Sequence, residues 1–422
     1  MEIQVARLRD TLGILKPAVP RKPTLEILKN VLVKDGKLMA TDLDSMVIID
    51  TPEADESFLL PYKEVLEMIQ YVPGHEYLKM HAKRGSLAIS WSEGEASYPA
   101  DDISAFPDIP AFEVKDEADI DGDTFIPTLK AALPYVSDDE SRPVLSGVTV
   151  QFGRPIEVSA GDGFRMAHIV LPLEFPAEYT TIIPAGAVTT LIHVMDKTPR
   201  VPTPGEAFVD IMLARRQLKV AFDGKRGLRV AFSPSVSVIV KLVEGSPPAW
   251  IKLIPKAEPV LKVQFFAREL DTAVRRVRDV ANQNKGIVRL QFEGEIGTVS
   301  ARADGREVSA KISLLSVDGA PNRLALNVGY LTEYLSGKDS IITMAWTGGE
   351  APASFQTPKS PRVLIMPMTA QWDKPLPGTQ PEPEAQPEPE AATTPPEQTA
   401  PVTPEGNASK PKKQPGNQKK KG

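Results

Sequence analysis

Apolar side chains recur at helical spacing after short apolar runs at three places in the 422-residue chain. Each apolar run leads into Pro61, Pro184 or Asn327, and further apolar residues follow four, seven and eight positions later. This spacing puts the apolar side chains on one face of a helix, and Pro or Asn suits the start of a helix. The pattern therefore predicts three strand-to-helix units of the same kind.

Acidic turns recur with nearly the same period as these units. Asp42, Asp162 and Asp304 each separate two β-like runs, because Asp favours turns. The three aspartates are 120 and 142 residues apart, and the three helix starts are 123 and 143 residues apart. Two markers that share one period predict three copies of a single unit.

A second amphipathic window opens each predicted copy, over residues 5–15, 129–136 and 270–281. Each copy then has two helices and several strands, which predicts an α+β fold built from helices and antiparallel sheets. The predicted domains are residues 1–119, 120–256 and 257–372.

The composition changes after Trp372. Residues 373–422 contain twelve prolines, almost no large apolar side chains and a terminal lysine cluster. Such a segment buries too little apolar surface to offset its ordering entropy, so we predict a disordered tail. Two roles stay open for it: a solubilising extension, or lysines that contact phosphates or a partner.

Composition excludes several classes of site. The chain has no cysteine and 4 histidines, which excludes disulfides, thiolate chemistry and cysteine-ligated zinc. The net charge of -6 by itself argues against nucleic-acid binding. No run approaches the roughly 20 apolar residues of a membrane span, and no signal peptide precedes the first window. We therefore expect a cytoplasmic protein without a membrane partner.

One predicted helix carries a basic face. Arg268, Arg275 and Arg278 lie opposite the apolar stripe of residues 270–281, and Asp271 and Asp279 reduce their net charge. Such a face indicates either a solvated helix surface or contact with a polyanion.

Five motifs in register with the repeat resemble those of the bacterial DNA polymerase III beta subunit, the sliding clamp family. The best defined are DDESRPVLSG at residues 138–147 and AGDGFRMA at residues 160–167. The others are KPTLEILKNVL at residues 22–32, EGSPPAW at residues 244–250 and VLIMPM at residues 363–368. The resemblance covers residues 1–372 and leaves out only the tail.

The resemblance implies the DNA clamp fold and a head-to-tail homodimeric ring around double-stranded DNA, which it holds without sequence preference. It implies a non-catalytic processivity factor without metal or cofactor, located at the replisome and the nucleoid. Its expected partners are the replicative polymerase, the clamp loader and repair proteins that carry clamp-binding peptides. A net-acidic ring suits this task if its inner wall is basic. The expected DNA contacts are Arg7, Arg9, Lys22, Arg268, Arg275, Arg278 and Lys285.

The resemblance also implies an apolar pocket for partner peptides between the second and third domains. Its expected walls are Arg142, Leu145, Gly161, Gly163, Phe164, Met166, Pro248, Leu253, Leu364, Met366, Pro367 and Met368. Phe164 replaces a family histidine and Gly161 a family threonine, so we expect a ring and a gap in place of a hydrogen-bonding corner.

Two other readings stay open from the sequence. Asp42 and Asp44 suit a carboxylate pair for a divalent metal, which would favour a metal-dependent hydrolase. The repeats alone are also compatible with a scaffold that never encircles DNA.

Overall fold

The computed structural model describes residues 1–372 except residues 84, 201–214, 225 and 359–360. The predicted disordered tail, residues 373–422, lies outside the described residues.

Six helices lie in the described part of the chain, two in each third of it. They are α1 (Val5–Leu15), α2 (Tyr62–Ile69), α3 (Gly122–Ala132), α4 (Ala185–Lys197), α5 (Ala267–Gln283) and α6 (Val328–Leu335). The periodic apolar residues of α1 and α5 are buried, as their spacing predicts. The second opening window extends past α3, because a 3₁₀ turn over Leu133–Tyr135 contains Pro134, which has no N–H to donate.

Twenty-five strands complete the described fold. The first repeat holds β1 (Glu2–Gln4), β2 (Asn30–Lys34), β3 (Lys37–Thr41), β4 (Ser45–Asp50), β5 (Phe58–Pro61), β6 (Tyr77–Lys83), β7 (Ser86–Trp91) and β8 (Gly94–Pro99). The second repeat holds β9 (Asp116–Asp121), β10 (Gly147–Phe152), β11 (Ile156–Gly161), β12 (Arg165–Leu171), β13 (Tyr179–Pro184), β14 (Gln217–Phe222), β15 (Gly227–Ser233) and β16 (Val236–Lys241). The third repeat holds β17 (Leu261–Phe266), β18 (Ile287–Glu293), β19 (Ile296–Ala303), β20 (Arg306–Ser313), β21 (Ser316–Gly319), β22 (Asn322–Asn327), β23 (Ile341–Trp346), β24 (Ala353–Gln356) and β25 (Arg362–Ile365).

All strand pairs are antiparallel, and the α+β prediction is confirmed. The predicted boundary at residue 119 falls inside β9, and the one at residue 256 falls between β16 and β17. The threefold division into domains stays a prediction, although the three sets of strands follow one order.

Each repeat divides its strands between two half-sheets, and half-sheets of successive repeats join edge to edge. An eight-stranded sheet joins the first repeat to the second where β4 pairs with β16. A nine-stranded sheet joins the second repeat to the third where β12 pairs with β25. Two four-stranded half-sheets remain, and they end at β8 and at β20.

The three acidic turns are of two kinds. Asp42 and Asp162 each begin a three-residue turn, and each carboxylate accepts the backbone N–H groups two and three residues later. Asp304 instead forms a two-residue hairpin turn with Gly305, and both residues have positive φ. Two of the three sequence markers are therefore structurally equivalent, and the third is a shorter connection.

His168 on β12 is a buried titratable group. Its Nδ1 lies 2.9 Å from the Ser159 hydroxyl on the neighbouring β11. Burial lowers the pKa of His168 below its ordinary value of 6.5, although Glu157 opposes this shift. As the pH falls, the imidazole of His168 is therefore protonated in the unfolded chain at a higher pH than in the folded chain.

We expect His168 to make the protein less stable below about pH 6.5. The stability contributed by neutral, buried His168 is fully present above the pKa that this residue has in the unfolded chain. It is lost as the pH falls to the lower pKa that the residue has in the folded chain. Urea unfolding of wild type and His168→Gln between pH 7.5 and pH 5 measures this effect, and the variant should show the smaller loss. The exposed His75→Gln is the matched control. Equal pH dependence of wild type and His168→Gln would contradict the assignment.

Candidate functional site

An open apolar cavity of about 320 Å³ lies at the joint between β12 and β25. Across this joint Met166 pairs with Leu364, and both side chains are nearly fully buried. The lining residues are Gly163, Phe164, Arg165, Met166, Trp250, Leu253, Pro352, Leu364 and Met366.

The lip of the cavity is the turn that Asp162 begins. Gly163 has φ +98°, and a Cβ at this position would lie 2.9 Å from an Arg142 guanidinium nitrogen. The next residue, Phe164, is 59% exposed, and its carbonyl accepts the N–H of Met366 across the joint. The lip thus presents an exposed ring beside a flexible methionine, which suits contact with an apolar ligand.

Trp250 forms the floor, although sequence reasoning did not include it among the walls. Its indole N–H donates to the Thr149 hydroxyl at 3.0 Å. A Cβ on Gly161 would lie 2.7 Å from the Trp250 ring, so the indole occupies the space that we expected to be a gap. The expectation of a gap at Gly161 is therefore wrong. The sequence signal that could have identified Trp250 as a wall residue is its position as an aromatic residue in the connection that leads to β17.

Six of the twelve predicted wall residues line the cavity, and the others lie nearby. Those that line it are Gly163, Phe164, Met166, Leu253, Leu364 and Met366. Leu145 packs beneath it with Met166, Trp250 and Leu364. Pro367 and Met368 instead line an adjoining cavity of about 390 Å³, and Met366 borders both. Pro248 supports the floor through its carbonyl, which accepts the backbone N–H of Trp250.

Arg142 is held beside the lip by a second acidic turn. Its Nε donates to Asp139 at 2.8 Å. Hydrogen bonds from Ser141 and Arg142 lower the pKa of Asp139, with the Ser141 hydroxyl as the largest cause. The carboxylate therefore stays charged and keeps the guanidinium next to Gly163.

Arg165, which also lines the cavity, connects the second repeat to the third. Its guanidinium is 8% exposed and lies 3.1 Å from Asp162, 2.7 Å from Glu333 on α6 and 2.9 Å from the Pro134 carbonyl. The rings of Tyr135 and Tyr330 flank it, at 5.2 Å and 4.5 Å from their centroids. Burial raises the pKa of Tyr135 to about 12, so its hydroxyl stays neutral. This ion pair and ring cluster fixes the joint that shapes the cavity.

The predicted basic face lies on α5 and is exposed. Neither Arg278 nor Arg276 has an ion-pair partner among the described residues. Arg276 was not among the residues predicted from the sequence. Arg268 pairs with Asp339 and Arg275 with Asp271, each at 2.7 Å. The Arg268–Asp339 pair is exposed on both sides and therefore weak. In the other pair Asp271 is 22% exposed, but Arg275 is 55% exposed, so both guanidinium groups remain accessible to a polyanion.

Of the other predicted DNA contacts, Lys285 lies just after the end of α5, whereas Arg7, Arg9 and Lys22 lie in the first repeat. Lys22 and Lys285 are exposed, and Arg7 pairs with Glu53. Arg9 is partly buried and donates to the carbonyls of Ile69 and Val72, so it links α1 to the end of α2. A DNA contact of any of these residues stays a prediction.

The Asp42 carboxylate holds its own turn together. Asp42 Oδ1 accepts the N–H groups of Asp44 and Ser45 and the Ser45 hydroxyl, which is a structural task. Burial and the Asp42 charge raise the pKa of Asp44, against the effect of Lys241. In the described ranges no three His, Asp or Glu side chains are grouped as a metal site requires.

None of the described helices is long and apolar enough to cross a membrane.

Sequence comparison finds similar proteins of one kind. The chain is 22% identical over 343 residues to the beta sliding clamp of Synechococcus elongatus, covering 78% of this chain and 87% of that protein. It is 22% identical over 396 residues to the beta sliding clamp of Bacillus subtilis, covering 87% and 98%. No protein-family model matches the chain.

Solved structures share the fold. The DNA polymerase III beta subunit of Thermotoga maritima superposes with a TM-score of 0.75 at 20% identity, covering 88% of this chain and 99% of that one. The Pseudomonas aeruginosa sliding clamp bound to griselimycin superposes with a TM-score of 0.74 at 17% identity, with the same coverage.

Proposed function

We propose that this chain, a homologue of the bacterial beta sliding clamps with their fold, is a DNA sliding clamp. Two copies close head to tail into a ring around duplex DNA, and the cavity at the joint of β12 and β25 tethers a replicative polymerase. The observation that carries the proposal is the way in which the half-sheets join.

Both joints within the chain use corresponding strands. At each joint the strand after a three-residue acidic turn, β4 or β12, pairs with the last strand of the next repeat, β16 or β25. By position in the repeat, β20 corresponds to β4 and β12, and β8 corresponds to β16 and β25. These two strands are the outer edges of the remaining half-sheets. Pairing β20 of one copy with β8 of another would repeat the joint and close a ring of two chains.

The charges of the two open edges support this pairing. The β8 hairpin carries exposed Glu93 and Glu95. The β20 strand carries exposed Arg306 and Lys311, and its Glu307 pairs with Arg302 of the neighbouring β19. Opposite charges on facing edges favour association and disfavour pairing of like edges. The edges are therefore complementary to each other, which fits a head-to-tail contact between two copies.

The α5 face supports a contact with the phosphate backbone. Arg268, Arg275, Arg276 and Arg278 are exposed on this single helix. Contacts to phosphates alone carry no sequence information, so a duplex can move along them. A net charge of -6 is compatible with this task, because the basic side chains are concentrated on one surface.

The cavity supports capture of partner peptides. Its floor of Met166, Trp250 and Leu364 is buried, whereas Phe164, Leu253 and Met366 at its rim are 59%, 51% and 40% exposed. An apolar cleft with an adaptable methionine suits short apolar motifs. We infer that polymerase, clamp loader and repair proteins dock here.

Topological retention on DNA tests the proposal. The protein is incubated with nicked circular plasmid, a purified clamp loader and ATP, and then passed over a sizing column at high salt. We expect the protein to stay on the circular plasmid and to be lost after the plasmid is cut once, because a ring slides off a free end. Equal retention on circular and linear DNA would contradict the ring and favour the non-encircling scaffold.

A further inference from the structure

A second cavity has the same construction as the one at the joint of β12 and β25, but lies at the joint of β4 and β16. It measures about 410 Å³. Across this joint Met46 pairs with Ile239, at the positions where Met166 pairs with Leu364 in the other joint. Met46 and Ile239 are 3% and 8% exposed, so they provide an apolar floor of the same kind.

The two cavities also correspond in the turn that forms the lip and in the aromatic residue that comes from the connection to the next repeat. The Asp42 turn supplies Leu43 and Asp44, where the Asp162 turn supplies Gly163 and Phe164. The connection between β8 and β9 supplies Phe112, whereas the connection between β16 and β17 supplies Trp250 in the first cavity. Leu43 has φ +81° and is 44% exposed, so an apolar side chain stands at the rim despite a strained backbone.

The two cavities differ in charge at equivalent positions. Asp44 stands where the first cavity has Phe164, and Lys241 where it has Met366. Asp223 adds a second carboxylate to the lining, and Arg226 is paired with Glu244. No hydrogen bond or ion pair to the Asp44 carboxylate is present among residues 1–372 as described. Asp44 is exposed at the rim, and Lys241 partly offsets the charge of the nearby Asp42, so a cation on the ligand would further reduce the repulsion between the two carboxylates.

We propose that the cavity at the joint of β4 and β16 is a second docking site, which binds an extended partner peptide with an apolar side chain next to a lysine or arginine. The apolar side chain contacts Met46, Ile239 and Phe112, and the cation contacts Asp44. The inference rests on the proposed use of the first cavity as a peptide pocket, because the two have one construction. The two sites differ in selectivity: the first takes apolar motifs, and the second also requires a positive charge.

Methionine methyl NMR on the full chain tests this site. Met46 reports on the second cavity and Met166 on the first, and Met46→Leu and Met166→Leu assign their signals. The probes are two blocked pentapeptides, Ala-Leu-Phe-Lys-Ala and Ala-Leu-Phe-Glu-Ala. We expect the lysine peptide to shift the Met46 signal to saturation with at least about fivefold higher affinity than the glutamate peptide. Asp44→Asn should make the two affinities equal at Met46.

A matched variant separates the two cavities. Met366→Lys places a charge at the rim of the first cavity and leaves the second unchanged, so it should abolish the Met166 response and keep the Met46 response. If peptide shifted the Met166 signal but not the Met46 signal, this inference would be overturned and the proposed function would stand. If neither signal shifted, the inference would be overturned and support for the first pocket would be removed as well. The inference would also be overturned if both peptides shifted the Met46 signal with equal affinity. If the Met46 signal instead shifted only with protein concentration, the cavity would bind a second copy of this chain and not a partner peptide.

Discussion

Replacing Arg165 with Met is expected to lower the free energy of unfolding by about 2–3 kcal/mol. Removing one partner of a fully buried ion pair typically costs about 3–5 kcal/mol. The expected cost is below this range because Glu333 is 46% exposed and regains water. The substitution also removes contacts with the rings of Tyr135 and Tyr330. Urea unfolding measured in parallel with peptide affinity at the first cavity would show both the lost stability and the looser joint.

Arg268→Met is the matched control for this prediction. Arg268 also makes a 2.7 Å ion pair, with Asp339, but the two side chains are 76% and 73% exposed. Such a surface pair contributes about 0–1 kcal/mol, so the control should unfold close to wild type. A similar loss of stability in both variants would show that Arg165 does not hold the joint.

Reversing the charges of β20 is expected to weaken the proposed dimer by about tenfold or more. The double variant Arg306→Glu and Lys311→Glu places four new negative charges in the ring opposite the Glu93 and Glu95 hairpins. Both ring contacts are affected at once, because each copy supplies one β20 and one β8. Sedimentation velocity over a dilution series measures the dissociation constant.

A charge swap provides the rescue. Adding Glu93→Lys and Glu95→Lys to the same chain restores opposite charges across the edges and should recover most of the affinity. Lys34→Glu with Lys262→Glu changes the net charge equally on strands away from both edges, so it should stay dimeric. If this control dissociates as readily as the β20 variant, net charge and not edge pairing controls assembly.

Periodicity predicted the repeated elements well because burial imposes it. The apolar stripes of α1 and α5 had to face a core, and the three strand-to-helix starts follow from the same requirement. The acidic turns were a weaker marker. Asp304 has the expected spacing, but Gly305 beside it allows a two-residue turn that the aspartate alone does not reveal.

The lining of the first cavity was anticipated where neighbouring residues in the sequence form it, and it was missed where residues distant in the chain meet. The turn from Gly161 to Met166 and the strand before Met366 were identified from local motifs. Trp250 and Arg165 depend on contacts between residues that are far apart in the chain. Trp250 occupies the space beside Gly161 within the second repeat, and Arg165 reaches Glu333 of the third repeat, 168 residues away. Side-chain pairing over such distances leaves no periodic signal in one sequence.

The short turn at Asp304–Gly305 has a consequence for how a ring would open. Both cavities at the joints within the chain have a three-residue turn as their lip, and the edge formed by β20 has only a two-residue turn. The proposed ring therefore carries its docking sites on joints inside each polypeptide, and its two closing seams carry none. A loader that parts one seam leaves every docking site whole, so a partner can remain bound while the ring is opened and resealed.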